Sequence, residues 1–134
     1  MSLQGGCLCG AVTYEVTGPL RPAVACHCGQ CRKTSGHHVV ATSAAHEDVA
    51  VAGAVHWYRS SETAERGFCP VCGSNLFWRS SGGARLSIFM GTFDGETGLS
   101  IAGHIFVADK GDYYTLDDDL PKALGADPDL TTAR

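Results

Sequence analysis

Cys26-His27-Cys28-Gly29-Gln30-Cys31 sets three cysteines within six residues. Four more flank this stretch, Cys7 and Cys9 before it and Cys69 and Cys72 after it, so the seven cysteines divide as three plus four. Four thiolates close a tetrahedral zinc site, whereas three leave one position for water or a substrate. That inequality is the clearest functional clue in the sequence.

The outer four come first. In Cys7-Leu8-Cys9-Gly10 the thiols stand at i and i+2, on one face of an extended segment. In Cys69-Pro70-Val71-Cys72-Gly73 the C-x-x-C-G spacing suits a tight metal knuckle. Between Cys9 and Cys69 lie 59 residues, so a shared ion would clamp the first strand to the middle of the chain. The plainer alternative is two unrelated thiol pairs.

Cys26 and Cys28 also stand at i and i+2, and Cys31 follows a turn later. Three thiolates can thus converge on one side while His27 points away from them. The set also admits a closed structural zinc with a fourth ligand from His27, His37, His38 or His104, or a different pairing such as Cys7, Cys9, Cys26 and Cys28. An open three-sulfur zinc favours a soft ligand, and a thiol is the obvious one. Arg32 and Lys33 follow directly; they offset the negative charge or bind carboxylates, or are simply solvated. In His37-His38 one ring is a candidate proton shuttle, against the commoner role of a packed or exposed histidine.

The 134 residues suffice for one domain with one core, and no linker or repeat divides them. The first residues carry neither a basic n-region nor an apolar h-region, no apolar run reaches the ~20 residues of a membrane helix, and a cytoplasmic, reduced setting is the expectation. There, C-x-C and C-x-x-C spacings indicate metal before disulfides. The net charge of −4 has an uneven origin. Basic and acidic residues balance through residue 108, and the excess of acid lies wholly in residues 109–134. No basic stripe is present to neutralise phosphates, which excludes nucleic acid as an expected partner. Two zinc ions on seven thiolates make the total more negative still, about −7.

Strands are expected at residues 10–17, where Val12, Tyr14 and Val16 alternate with Thr13 and Glu15, and at 23–25, 38–42, 55–60, 75–79, 85–90 and 101–107. Ser80-Ser81-Gly82-Gly83 predicts a hairpin turn. Residues 28–35 predict one or two helical turns ended by Gly36. Residues 93–98 read as a loop. Beyond Tyr114 the chain is acidic with Pro121 and Pro128, and residues from about 122 to 134 read as a frayed tail. Short strands at this spacing indicate an all-β sandwich or barrel.

Cys7-Leu8-Cys9-Gly10, Cys26-His27-Cys28-Gly29-Gln30-Cys31-Arg32-Lys33 with Gly36, and Phe68-Cys69-Pro70-Val71-Cys72-Gly73-Ser74 together resemble the glutathione-dependent formaldehyde-activating enzyme family, which includes the centromere protein V relatives. Gly91-Thr92-Phe93-Asp94, His104-Ile105-Phe106-Val107 and Asp118-Asp119-Leu120-Pro121 resemble its downstream pattern, so the likeness runs from about Gly5 to Pro121. His37-His38 stands where the pattern leads one to expect small residues. The resemblance implies a mainly β, Mss4-like zinc-bound fold of short antiparallel strands. It implies a structural zinc on Cys7, Cys9, Cys69 and Cys72, and a labile, catalytic zinc on Cys26, Cys28 and Cys31. It implies glutathione as co-substrate and an aldehyde as its partner, joined in S-hydroxymethylglutathione, formally a carbon–sulfur lyase reaction in reverse. The alternative expectation is a non-catalytic zinc-bound β domain that binds a protein partner.

Overall fold

A computed structural model describes residues 2–132. Its elements in chain order are β1 (Leu3–Gly6), β2 (Thr13–Val16), β3 (Ala23–Cys26), α1 (Gly29–Ser35), β4 (Val39–Ala45), β5 (Val49–Ala52), β6 (His56–Arg59), β7 (Ala64–Phe68), β8 (Asn75–Ser80), β9 (Arg85–Phe89), β10 (Ile101–Ile105) and α2 (Pro128–Thr131). Short 3-10 turns at His46–Asp48, Met90–Thr92 and Val107–Asp109 join some of them. The strands form two sheets, a small one in the order β1-β2-β5 and a large one in the order β10-β3-β4-β9-β8-β7-β6. The fold is therefore mainly β, as expected, but an open pair of sheets rather than a closed barrel. Pairing is antiparallel except where β10 runs parallel to β3.

Alternation explains how the sheets meet. Val12, Tyr14 and Val16 are buried on one face of the β2 segment while Thr13 is exposed. They pack against Ala44 of β4, Leu76 and Phe77 of β8, and Leu86 and Ile88 of β9. Tyr14 meets Phe77 edge-on at 5.4 Å between centroids, and its hydroxyl pairs with Thr92 Oγ1 at 2.7 Å. β4, β8 and β9 give their other side chains to the opposite face of the large sheet, with alternation interrupted in β8 by a register shift that lets Leu76 and Phe77 both enter the core. That second face carries Val39, Ala41 and Ser43 of β4, Arg85, Ser87 and Phe89 of β9, Trp78 and Ser80 of β8, Ala64 and Arg66 of β7, and Val24 and Cys26 of β3. It does not meet another sheet. It floors a cavity.

Three strands lack a signal in the sequence. β1 is Leu-Gln-Gly-Gly and β5 is Val-Ala-Val-Ala; both are short and depend on β2 between them for their hydrogen bonds. β7, Ala-Glu-Arg-Gly-Phe, has no apolar alternation because it must present a small or charged residue to each face. Trp57 of β6 lies against the bare Gly67, where an added Cβ would stand 3.0 Å from the indole.

The C-terminal segment departs from the expectation of a frayed tail through residue 132; residues 133 and 134 lie outside the described residues. It runs along the edge of β10, with the His104 amide donating to Pro121 O and the Ala123 amide to His104 O, both at 2.9 Å. The amides of Phe106, Val107 and Ala108 donate to the carbonyls of Gly125, Ala123 and Leu124. Leu130 of α2 is buried on Gly103, where a Cβ would come within 2.8 Å of it. The free edge of β10 supplies backbone groups that an acidic, proline-containing segment can satisfy without forming a regular strand. Leu130→Ala is expected to cost about 2 kcal/mol and to open residues 121–132 to proteolysis; urea denaturation and limited digestion check both.

Candidate metal centres

Cys7 and Cys9 flank the turn after β1, and Cys69 and Cys72 form the turn between β7 and β8. The four sulfurs converge, with Cys7 to Cys9 at 3.6 Å and Cys9 to Cys69 at 3.8 Å. A tetrahedral ion with metal–sulfur bonds of ~2.3 Å places its sulfurs about 3.8 Å apart, so the donor set fits zinc. Backbone amides surround the sulfurs: Val12 N–H on Cys7 Sγ at 3.2 Å, Val71 and Cys72 N–H on Cys69 Sγ at 3.4 and 3.5 Å. Such donors favour thiolates. The Ser74 hydroxyl and amide lower the Cys72 thiol to about 5. Ser74 Oγ also accepts from the Leu8 amide at 3.0 Å, which ties the two turns together. Gly73 closes the second turn at φ 80°, in the left-handed region where a side chain is strained.

Cys26 ends β3, Cys28 caps α1 and Cys31 lies within that helix, facing inward. Their sulfurs form a second group with mutual separations below 4.8 Å. Both groups consist only of cysteines among the described residues. Cys28 Sγ accepts from the Cys31 amide at 3.3 Å. Hydrogen bonds from the Cys26 and Cys31 thiols, then that amide and the charge of Arg66, hold the Cys28 thiol well below its ordinary value. The same contacts with Cys28 and Cys31 push Cys26 up. Val39, Ala41, Phe89 and Trp78 pack around the sulfurs and keep the surroundings apolar.

The three sulfurs open onto the cavity over the large sheet, of about 620 Å³, within the range that holds a small-molecule ligand. Ala126, Asp127 and Thr131 of the docked C-terminal segment wall it on one side. Of the basic residues next to Cys31 in sequence, Arg32 is half-buried and lines a shallow depression beside Cys28, whereas Lys33 is exposed and lines neither this depression nor the cavity. The basic side chains that do line the cavity are Arg21, Arg66 and Arg85. Sequence reasoning missed them. The only available signal for Arg66 was indirect: a strand leaving a C-x-x-C knuckle at Asn75 needs an antiparallel partner entering it.

His27 is fully buried and directed away from the sulfurs. It joins a chain of hydrogen bonds in which Asp118 Oδ2 meets His104 Nε2 at 2.8 Å, His104 Nδ1 meets His27 Nε2 at 2.9 Å, and His27 Nδ1 meets the Tyr114 hydroxyl at 2.5 Å. The carboxylate only accepts, which makes His104 Nε2 the donor there. With both rings neutral, His27 donates to His104 and Tyr114 donates to His27. Burial, then the neighbouring His38, lowers the His27 ring to about 4, in keeping with a neutral ring. His37 and His38 stack into this aromatic group, with His37 Nδ1 at 2.6 Å from the Tyr113 hydroxyl, and neither lines the cavity. The chain fixes the backbone between Cys26 and Cys28 rather than reaching into the cavity.

Hydrogen bonds from Lys122 and then His104 hold the Asp118 carboxyl below its usual range. The stability this contributes is complete above the ordinary carboxylate value of about 3.9 and is lost as pH falls below it, through the lowered value of the folded state. Asp118→Asn is therefore expected to melt below wild type at pH 7 and to converge with it below about pH 4, a comparison made by thermal melts across that range.

The glutathione-dependent formaldehyde-activating enzyme family model matches residues 2–109. A Halomonas elongata protein named for glutathione-dependent formaldehyde activation is 36% identical over 87 residues, covering 58% of this chain and 55% of that protein. An uncharacterised lyase of Schizosaccharomyces pombe is 29% identical over 113 residues, covering 83% of this chain and 82% of the relative. A crystal structure of a Rhodobacter sphaeroides protein superposes with a TM-score of 0.58 at 25% identity, over 75% of this chain and 98% of that one. The family match spans the cysteines of both centres and all ten strands, and the chain belongs to the glutathione-dependent formaldehyde-activating enzyme family.

Proposed function

We propose that the chain is a zinc-dependent carbon–sulfur lyase-type enzyme acting on a glutathione–aldehyde adduct, with the four-sulfur centre structural and the three-sulfur centre catalytic. One observation carries this reading. Four sulfurs close one centre, while three sulfurs face a cavity large enough for a ligand. Cys26, Cys28 and Cys31 would hold a zinc ion, which would lower the pKa of a substrate thiol so that it is a thiolate at neutral pH.

The residues of the chain do the rest. The apolar wall of Val39, Ala41, Phe89 and Trp78 excludes water beside the sulfurs, which strengthens electrostatic interactions there. Arg66 Nη2 lies 3.7 Å from Cys31 Sγ and offsets the thiolate charge. Arg32, in the neighbouring depression beside Cys28, adds a positive charge close to the sulfurs. In the synthetic direction the substrate sulfur forms a bond to the aldehyde carbon, the carbonyl π pair moves onto oxygen, and the proton released by the thiol ends there. In the lyase direction the carbon–sulfur bond breaks and the same proton returns.

A second reading, a zinc-bound β domain that docks a protein partner, has one observation in its favour. Leu8 and Val71 stand exposed at the tips of the two outer cysteine turns, at 90% and 75% of their full surface.

Cobalt substitution separates the readings, because sulfur-to-cobalt charge transfer reports the number of sulfurs bound. Saturating glutathione is expected to raise the sulfur count at the inner centre from three to four, and S-methylglutathione is not. An unchanged spectrum would make the inner centre closed and remove the enzyme reading. Serine substitutions check the division of labour. Cys69→Ser should lose one ion and lower the melting temperature of the whole domain, because metal binding and folding are linked. Cys28→Ser should melt close to wild type yet lose the inner ion and the response to glutathione. Equal destabilisation by both would mean that the centres do not have separate roles.

A further inference from the structure

Three guanidinium groups line the cavity of a chain whose net charge is −4. Arg21 and Arg66 are 94% and 93% buried, from exposures of 6% and 7%. None of the three forms an ion pair with a carboxylate among the described residues. Arg66 places Nη2 near Gln30 Oε1 and Cys31 Sγ, at 3.4 and 3.7 Å, while its Nε and Nη1 are buried without an acceptor. Arg21 donates through Nη1 to the carbonyls of Pro22 and Ala41, both at 3.0 Å, and its Nε has no acceptor. Arg85 donates to Ser43 Oγ at 2.9 Å and Ser43 O at 2.6 Å. Burying cations beside neutral partners alone is costly, and an anion in the cavity removes that cost.

The charges are also separated. Arg66 stands beside the three sulfurs. Arg21 and Arg85 adjoin each other and hold onto β4 at residues 41 and 43. From Val39, paired with Cys26, to Ser43 is four strand residues, roughly 13 Å. An extended tripeptide spans about 10 Å. The one acidic residue among those lining the cavity is Asp127, in the docked C-terminal segment beyond the family match. Its Oδ1 accepts the Asp129 amide at 3.1 Å as the cap of α2.

We propose that this cavity selects its thiol by charge: Arg66 takes the carboxylate nearest the sulfur, the Arg21–Arg85 pair takes a second carboxylate, and Asp127 takes an ammonium group. The proposal rests on the reading above, in which the thiol end of the ligand meets Cys26, Cys28 and Cys31. It assigns recognition to side chains on β7, on β9, before β3 and in the C-terminal segment. A thiol with two carboxylates and one ammonium, the charge pattern of glutathione, matches this set; a neutral thiol does not.

Calorimetry of the zinc-loaded full chain with S-methylglutathione and with its diethyl ester tests the charge pattern without requiring a bond to the ion. Wild type is expected to bind the free acid and to bind the diester at least about tenfold more weakly, as the loss of charge-assisted hydrogen bonds implies. Arg66→Gln and Arg85→Gln should each bind the free acid about tenfold more weakly and discriminate less between acid and ester, with Arg66→Lys intermediate because a lysine keeps the charge but not the fork. Asp127→Asn should weaken the free acid and leave an N-acetylated analogue unchanged. Arg85 is only half-buried, so Arg85→Gln serves if Arg66→Gln fails to fold. Equal binding of acid and ester by wild type, or wild-type binding by folded Arg66→Gln and Arg85→Gln, overturns the proposal. Arginine-dependent binding of S-methylglutathione by a chain whose cobalt spectrum ignores glutathione upholds the charge selection and removes only the thiol–metal reading.

Discussion

The convergence of Cys7 and Cys9 with Cys69 and Cys72 is the constraint on which the remaining architecture depends. It joins the turn after β1 to the turn between β7 and β8, two places that no β-ladder connects. The small sheet touches the large one mainly through Val12, Tyr14 and Val16, a thin core for a domain of this length. The four sulfurs gather at one end of that core, where Ser74 Oγ accepts from the Leu8 amide and joins the two turns. The first inner cysteine then follows from β3, whose position is set by β4 and β10 on either side.

The second organising feature is the division of the large sheet into a dry face and a chemical face. The same strands serve both. In β9, Leu86 and Ile88 enter the core while Arg85, Ser87 and Phe89 floor the cavity. In β4, Thr42 and Ala44 turn inward while Val39, Ala41 and Ser43 turn toward the cavity. A rigid sheet therefore presents the candidate binding groups, which limits the ordering needed when a ligand enters.

The inner cysteines gain their geometry from outside the candidate metal centre. His27 sits between Cys26 and Cys28 in sequence, yet its ring is held on the opposite side by His104, Asp118 and Tyr114. The C-terminal segment supplies Tyr114 and Asp118 to that chain and Ala126, Asp127 and Thr131 to the cavity wall. The part of the chain beyond the family match thus contributes both to the support of His27 and to one wall of the cavity.

The sequence by itself determined the cysteine spacings, the mainly β class and most of the strands, whereas the tertiary structure decided that Cys7 and Cys9 gather with Cys69 and Cys72 rather than with Cys26 and Cys28. The spacings and the strand pattern are local signals: C-x-C, C-x-x-C-G, and the alternation of Val12, Tyr14 and Val16 are each written within a few neighbouring residues. The helical turns at 29–35, ended by Gly36, were legible for the same reason. Only the tertiary structure decided which residues share the cavity. Arg21, Arg66 and Arg85 lie on three separate segments, and their meeting depends on the order β3-β4-β9-β8-β7, which no local pattern encodes. Arg32 and Lys33, adjacent to Cys31 in sequence, do not line that cavity, because a helix turns successive side chains about 100° apart and buries only Cys31. The C-terminal segment reads as irregular with a frayed end from its acids and prolines alone. It is ordered because β10 offers a free edge and Gly103 leaves room for Leu130, two facts that exist only once the sheet has formed.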